Sequence, residues 1–254
     1  VFAALCAAGH ANAQLIEEFA PQRPTGCCLL GNATRLAEQL ADWNQLGRYH
    51  QANIELMRQP APKDRVVFMG DSITDGWKLA ESFPGKPYVN RGIGGQTTAQ
   101  MLVRMYPDVI ALKPAAVIVF AGTNDIAANN GPQTLLMIQQ NLMAMAELAK
   151  LHGIKVVLCS VMPITDAKTS PPERGGGRII QSRSRPLADI LSLNAWIKSY
   201  AQTVGAGFAD YYTATVGEDG MLRAERTADG LHPNASGYEL MVPVASAAIS
   251  AALK

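Results

Sequence analysis

Apolar residues fall along this chain in two rhythms: short unbroken runs, and longer stretches with a spacing of three or four. "RVVFM" (65–69), "AAVIVFAG" (115–122), "IKVVLCSV" (154–161) and "GAGFADYY" (205–212) are of the first kind. Runs of this length, rich in β-branched residues and bounded by glycine or polar residues, predict strands buried in a sheet. Helical patterns lie between and after them, one opening near Thr98, one from Pro132 to His152, one from Pro186 to Val204 and one from about Ser236. In the second, Leu135, Ile138, Leu142, Met145 and Ala149 share one face, Pro132 suits the first turn and Gly153 ends it. Ahead of the first strand, "NATRLAEQLADWNQLGRYHQANIELM" (32–57) places Leu36, Leu40, Trp43, Leu46 and Leu56 at helical spacing behind Asn32 as a cap, and "QPAPKD" breaks it.

Strand and helix alternating at this spacing predict a parallel sheet with helices on both faces. One segment departs from the rhythm. Residues 163–186, "PITDAKTSPPERGGGRIIQSRSRP", hold Lys168, Arg174, Arg178, Arg183 and Arg185 against Asp166 and Glu173, with three consecutive glycines. Such a loop is either a solvated connection or a lid or site for an anionic group.

Composition narrows the classes. With 254 residues, 48% hydrophobic and 17% charged, the chain has material for one full core with modest decoration. A net charge of +1 offers no field for nucleic acid or a membrane surface. The opening "VFAALCAAGHANAQ" is apolar, small and closes on Ala11-Asn12-Ala13, the pattern of a signal-peptidase site with cleavage after Ala13. An N-terminal helix is the other reading of that stretch. It is too short to span a bilayer, and no later segment is apolar for long enough, so a secreted or periplasmic protein without an integral membrane segment is expected. The organisation expected is a signal remnant at 1–13, an N-terminal extension with a helix at 14–64, and the main α/β domain at 65–254. Removal of Cys6 with the signal leaves Cys27, Cys28 and Cys159, an odd set without C-x-x-C spacing, which predicts no metal site. Cys159 lies in an apolar run and reads as a buried thiol, whereas adjacent Cys27 and Cys28 leave their pairing open.

The chemistry has to come from a few places. G-x-S-x-G, G-x-x-x-x-G-K, a full G-x-G-x-x-G and H-E-x-x-H are all absent. "VVFMGDSITDGW" (66–77) ends a buried strand on Gly70-Asp71-Ser72, so Ser72 is either a helix cap or a nucleophile at the ligand-binding edge of the sheet. A nucleophilic serine needs a base. His10 lies in the signal stretch, His50 in the N-terminal helix and His152 in a last helical turn; only His232 sits in a turn-rich loop, "ADGLHPNASGYE", with Asp229 three residues before it. Ser236 and Glu239 match a capping box for the helix that follows. "NRGIGGQTT" (90–98) sets Gly92, Gly94 and Gly95 before a helix, where backbone N–H groups are free for an anion. "VIVFAGTNDI" (117–126) ends another strand and presents Asn124, an amide of the oxyanion-hole type. A glycine turn and an Asx turn are the plain alternatives for Gly95 and Asn124.

Taken together and in order, "GDSITDGW", "NRGIGGQTT", "GTND" and "DGLHPN" resemble the four sequence blocks of the SGNH, or GDSL, hydrolases, spanning residues 70–234. The resemblance implies a flavodoxin-like three-layer α/β/α sandwich with a central parallel sheet. It implies Ser72 as nucleophile, Asp229 and His232 as its triad partners, and the Ser72 N–H, the Gly95 N–H and the Asn124 side chain as oxyanion donors. Where part of the family has an aspartate after the block-two glycine, this chain has Gln96. The implied activity is a serine esterase with no cofactor and no metal, acting on a small ester or an acetylated carbohydrate. Lysophospholipase or thioesterase activity shares the same blocks. The other expectations are a non-catalytic carbohydrate-binding protein, and a phosphate-binding module that would leave Asp229 and His232 unused.

Overall fold

The computed structural model describes residues 42–167 and 180–254. Five strands, β1 (Val66–Gly70), β2 (Tyr88–Gly92), β3 (Ala116–Phe120), β4 (Lys155–Cys159) and β5 (Gly207–Ala209), form one parallel sheet in the order β2-β1-β3-β4-β5. The helices are α1 (His50–Met57), α2 (Ser72–Asp75), α3 (Leu79–Ser82), α4 (Thr98–Asp108), α5 (Thr123–Ile126), α6 (Leu135–Leu151), α7 (Gln181–Ser184), α8 (Leu187–Val204), α9 (Tyr211–Thr215) and α10 (Ala235–Ala252). Strand residues alternate between the sheet's two faces. Val67, Met69, Val117, Val119, Val156 and Leu158 pack into one core with Met101, Ile138, Leu142 and Leu193 of α4, α6 and α8. Val66, Phe68, Ile118, Phe120, Val157 and Cys159 pack into the other with Trp77, Phe83, Tyr211, Met241 and Ala245. Three layers result, as the alternation predicts.

The strand order places the site. It reverses between β1 and β3, and ligands of open α/β sheets bind at the carboxyl ends of the strands flanking such a reversal. Ser72 follows β1 and Asn124 follows β3 at that point.

Four elements differ from the sequence expectation. β2 carries polar residues and is only partly buried at its start; as an edge strand it needs no apolar run. Within the described part of 32–57, the helix is confined to His50–Met57. The Asp42 carboxylate takes the N–H groups of Leu46 and Gly47, and Gln45 has φ 56°, so a local turn replaces the helix and leaves Trp43 and Leu46 exposed. Thr134, not Pro132, starts α6 by accepting from the Met137 N–H at 3.1 Å. Asn234, not Ser236, caps α10, its Oδ1 accepting from the Gly237 N–H at 3.0 Å and the Ser236 hydroxyl at 2.8 Å. Asn and Ser are caps of similar strength, and Asn234 leads directly out of the His232 turn. The signal stretch, His10, Asn32, Cys6, Cys27 and Cys28 lie outside the described residues, as do positions 168–179 of the basic loop. Cys159 is buried, and burial pushes its thiol far up, so it behaves as a core residue.

Candidate active site

Ser72 is the first residue of α2, but it is not the cap. Asp71 occupies that position and its Oδ1 accepts the Ile73 N–H at 2.9 Å, which leaves the Ser72 hydroxyl free to point away from the helix. Two glycines let α2 lie this close to the sheet. A Cβ on Gly70 would stand 2.0 Å from Thr74 Oγ1, and one on Gly92 2.1 Å from the Asp75 nitrogen. Asn90 of β2 secures the end of α2, its Nδ2 donating to the Thr74 carbonyl at 2.6 Å.

The facing side chain comes from the loop before α10. Ser72 Oγ lies 2.8 Å from His232 Nε2, and His232 Nδ1 lies 2.5 Å from Asp229 Oδ2. Local sequence builds the second contact. Asp229 Oδ1 accepts the backbone N–H groups of Leu231 and His232 at 2.9 and 2.8 Å, folding the turn back on its own side chain. Gly230 at φ 87° permits that turn. Thr227, which the sequence reading passed over, staples it: its Oγ1 donates to the His232 carbonyl at 2.7 Å and accepts the Gly230 N–H at 3.0 Å. A threonine two residues before an Asp-Gly turn is the signal that could have found it. Burial alone would raise the Asp229 pKa, but the hydrogen bonds from the His232 ring and from the His232 and Leu231 backbone outweigh it and hold the carboxyl below its usual range.

The remaining predicted residues meet at the same place. Gly94 runs beside Ser72, a Cβ there falling 3.8 Å from Ser72 Cβ, and Gly95 takes φ 77° to turn the chain into α4. Among the described residues no acceptor takes the backbone N–H of Ser72 or of Gly95. Asn124 is buried, and its Nδ2 donates to the Gln96 carbonyl at 3.1 Å with one N–H to spare. Its Oδ1 accepts from Asn129 Nδ2 at 2.9 Å and from Arg185 at 3.3 Å. Gln96 serves as scaffold: buried, it donates to the Asn44 carbonyl at 3.0 Å and accepts from Arg104 at 2.6 Å.

Sequence reasoning placed Arg185 only in a basic loop. It is buried beside the site, with Asp71 and Asp229 among its charge partners. Asn129 was not anticipated. Among the described residues no group of three or more His, Cys, Asp or Glu is placed to hold a metal ion. No helix among them is long and apolar enough to cross a membrane.

A serine on the first turn after a central strand, a histidine bonded to it and a carboxylate behind the histidine define an arrangement for acyl transfer. Sequence comparison agrees with that class. The profile of the GDSL-like lipase/acylhydrolase family matches residues 68–240, and the chain belongs to this family of carboxylic ester hydrolases. Esterase TesA of Pseudomonas aeruginosa is 29% identical over 194 residues, 70% of this chain and 84% of that protein. A GDSL-like lipase of known structure from Bacteroides thetaiotaomicron is 40% identical with a TM-score of 0.71, covering 82% of this chain and 98% of its own. The uncharacterized lipoprotein YqeF of Bacillus subtilis is 36% identical over 120 residues, 40% of this chain and 49% of that protein.

Proposed function

We propose that this protein is an exported serine esterase that cleaves short-chain or acetyl esters, with Ser72 as nucleophile, His232 as base and Asp229 as its orienting carboxylate. The observation that carries the reading is the continuous hydrogen-bonded chain from Ser72 Oγ through both nitrogens of His232 to Asp229. His232 Nε2 takes the Ser72 proton as Oγ bonds to the ester carbon. The carbonyl oxygen becomes an oxyanion received by the Ser72 and Gly95 N–H groups and the spare Asn124 N–H. On collapse the C–O bond to the alcohol breaks, and His232 returns its proton to the departing oxygen. Water, deprotonated by the same nitrogen, then attacks the acyl-enzyme; the acid leaves and Ser72 regains its proton. Asp229, held ionised, fixes the tautomer that leaves Nε2 as acceptor and steadies the imidazolium. The mechanism asks for no metal and no organic cofactor.

The Ala11-Asn12-Ala13 pattern supports export, and an extracellular ester such as an acetyl group on a carbohydrate fits that setting. The test is hydrolysis of p-nitrophenyl acetate and its longer homologues by the wild type beside Ser72→Ala. A rate that falls with chain length and vanishes in the variant is the expected result. Preference for long chains would move the protein to the lysophospholipases or thioesterases, and equal background rates in both proteins would overturn catalysis at Ser72.

A further inference from the structure

Arg185 follows α7 and spans the two halves of the site. Its Nε donates to Thr123 Oγ1 at 3.0 Å, one terminal nitrogen to Gln181 Oε1 and Ser184 Oγ, both at 3.1 Å, and the other to Asn124 Oδ1 at 3.3 Å. Gln181 in turn donates to the Asp229 carbonyl at 3.3 Å. Arg185 is only 8% exposed. Burial lowers its pKa, and the facing carboxylates of Asp71 and Asp229 work against that loss. A buried cation is costly, and an apolar side chain would fill the same space without that cost.

What the cation touches accounts for it. A primary amide has an accepting end and a donating end, and a flip exchanges them. Arg185 and Asn129 both present donors to Oδ1 of Asn124, so the flipped amide would set its own N–H groups against two donors. Nδ2 is thereby kept towards the Gln96 carbonyl, on the loop that carries the Gly95 N–H. A positive charge at the oxygen end also polarises the amide, strengthening its N–H as charge develops on the substrate oxygen.

Resting on the proposed esterase mechanism, we propose that Arg185 is a positioning residue for ester hydrolysis, acting through Asn124 by locking the orientation and raising the donor strength of its amide.

A rate cycle on p-nitrophenyl acetate tests this with Asn124→Ala, Arg185→Gln and the double variant. Asn124→Ala should lower kcat roughly 100-fold to 1000-fold. Arg185→Gln should lower kcat roughly 10-fold to 100-fold with KM within about twofold, as outer partners of a reacting group do. The double variant should be no more than about twofold slower than Asn124→Ala, because a residue that works through Asn124 has nothing left to support. Costs that multiply, or an unchanged kcat in Arg185→Gln, would overturn the proposal. Should Arg185→Gln not fold by circular dichroism, Arg185→Lys, which keeps the charge but not the planar fork, takes its place in the same cycle. Misfolding of both would make Arg185 a structural residue and equally overturn it. Ser72→Ala is measured in parallel. Hydrolysis that survives there sinks the esterase site as a whole, whereas an additive cycle with Ser72 essential sinks only the role of Arg185.

Discussion

Asp71 shows how a single residue couples the fold to the site. The residue is 1% exposed; burial pushes its carboxyl pKa up to about 6, against the Ile73 N–H and the charges of His232 and Arg185. Between about pH 4 and about pH 6 the native state therefore holds a proton that the unfolded chain has released. The group's contribution to stability declines as pH rises through that window. A shift of this size corresponds to about 3 kcal/mol of strain above it. Asp71→Asn keeps an oxygen to cap Ile73 and carries no charge. It should melt higher than the wild type at about pH 7.5, with the advantage shrinking as the pH is lowered through 6 toward 4. An advantage that is absent at neutral pH or grows toward acid would contradict this account of the burial. Asp125, likewise raised to about 6 by burial, titrates in both proteins, and its charge also raises Asp71, so loss of that repulsion adds to the neutral-pH advantage of Asp71→Asn in the same direction.

Among elements, the contact of α2 with the ends of β1 and β2 matters most, because it aims Ser72. It depends on Gly92 having no side chain, a Cβ there meeting the Asp75 nitrogen at 2.1 Å. Gly92→Ala should destabilise the protein by about 1–3 kcal/mol, as forced overpacking does, and lower esterase activity as well, since the backbone that must yield begins at Ser72. Denaturant unfolding and kcat on the same sample check it; a variant of normal stability and rate would show that α2 can shift freely. The four apolar strands and the four long helices were legible because burial on one or two faces leaves a periodic pattern. β2 was not, since an edge strand can be built from Tyr88, Asn90 and Arg91. The candidate site residues stood out as residue types at strand ends and in turns, but Thr227, Asn129 and Arg185 did not. Their roles come from long-range or turn-local hydrogen bonds that no periodicity records.

For the whole molecule, the extension before β1 bears directly on the site. Asn53 of α1 donates to Asp108 Oδ1 and accepts from Arg91 Nε at 2.9 Å, while Arg104, wholly buried, bonds Asp108 at 2.7 Å, the Gln96 side chain and the Arg91 carbonyl. Asn44 accepts from Gln96 beside the Gly95 turn. These bonds tie the extension to the turn that presents the Gly95 N–H. A chain starting at residue 65 would leave Arg91, Asp108 and Gln96 short of partners, at about 1–3 kcal/mol for each group that stays buried. It should melt lower by roughly 5 °C or more and hydrolyse esters more slowly. Equal melting and activity would make the extension an independent appendage.

The most direct test of the central claim is covalent. Incubation with diethyl p-nitrophenyl phosphate, followed by intact mass and peptide mapping, should show one diethylphosphoryl group on Ser72, loss of esterase activity in proportion to labelling, and no labelling in His232→Ala. A label on another residue, or full activity once Ser72 is modified, would contradict the account.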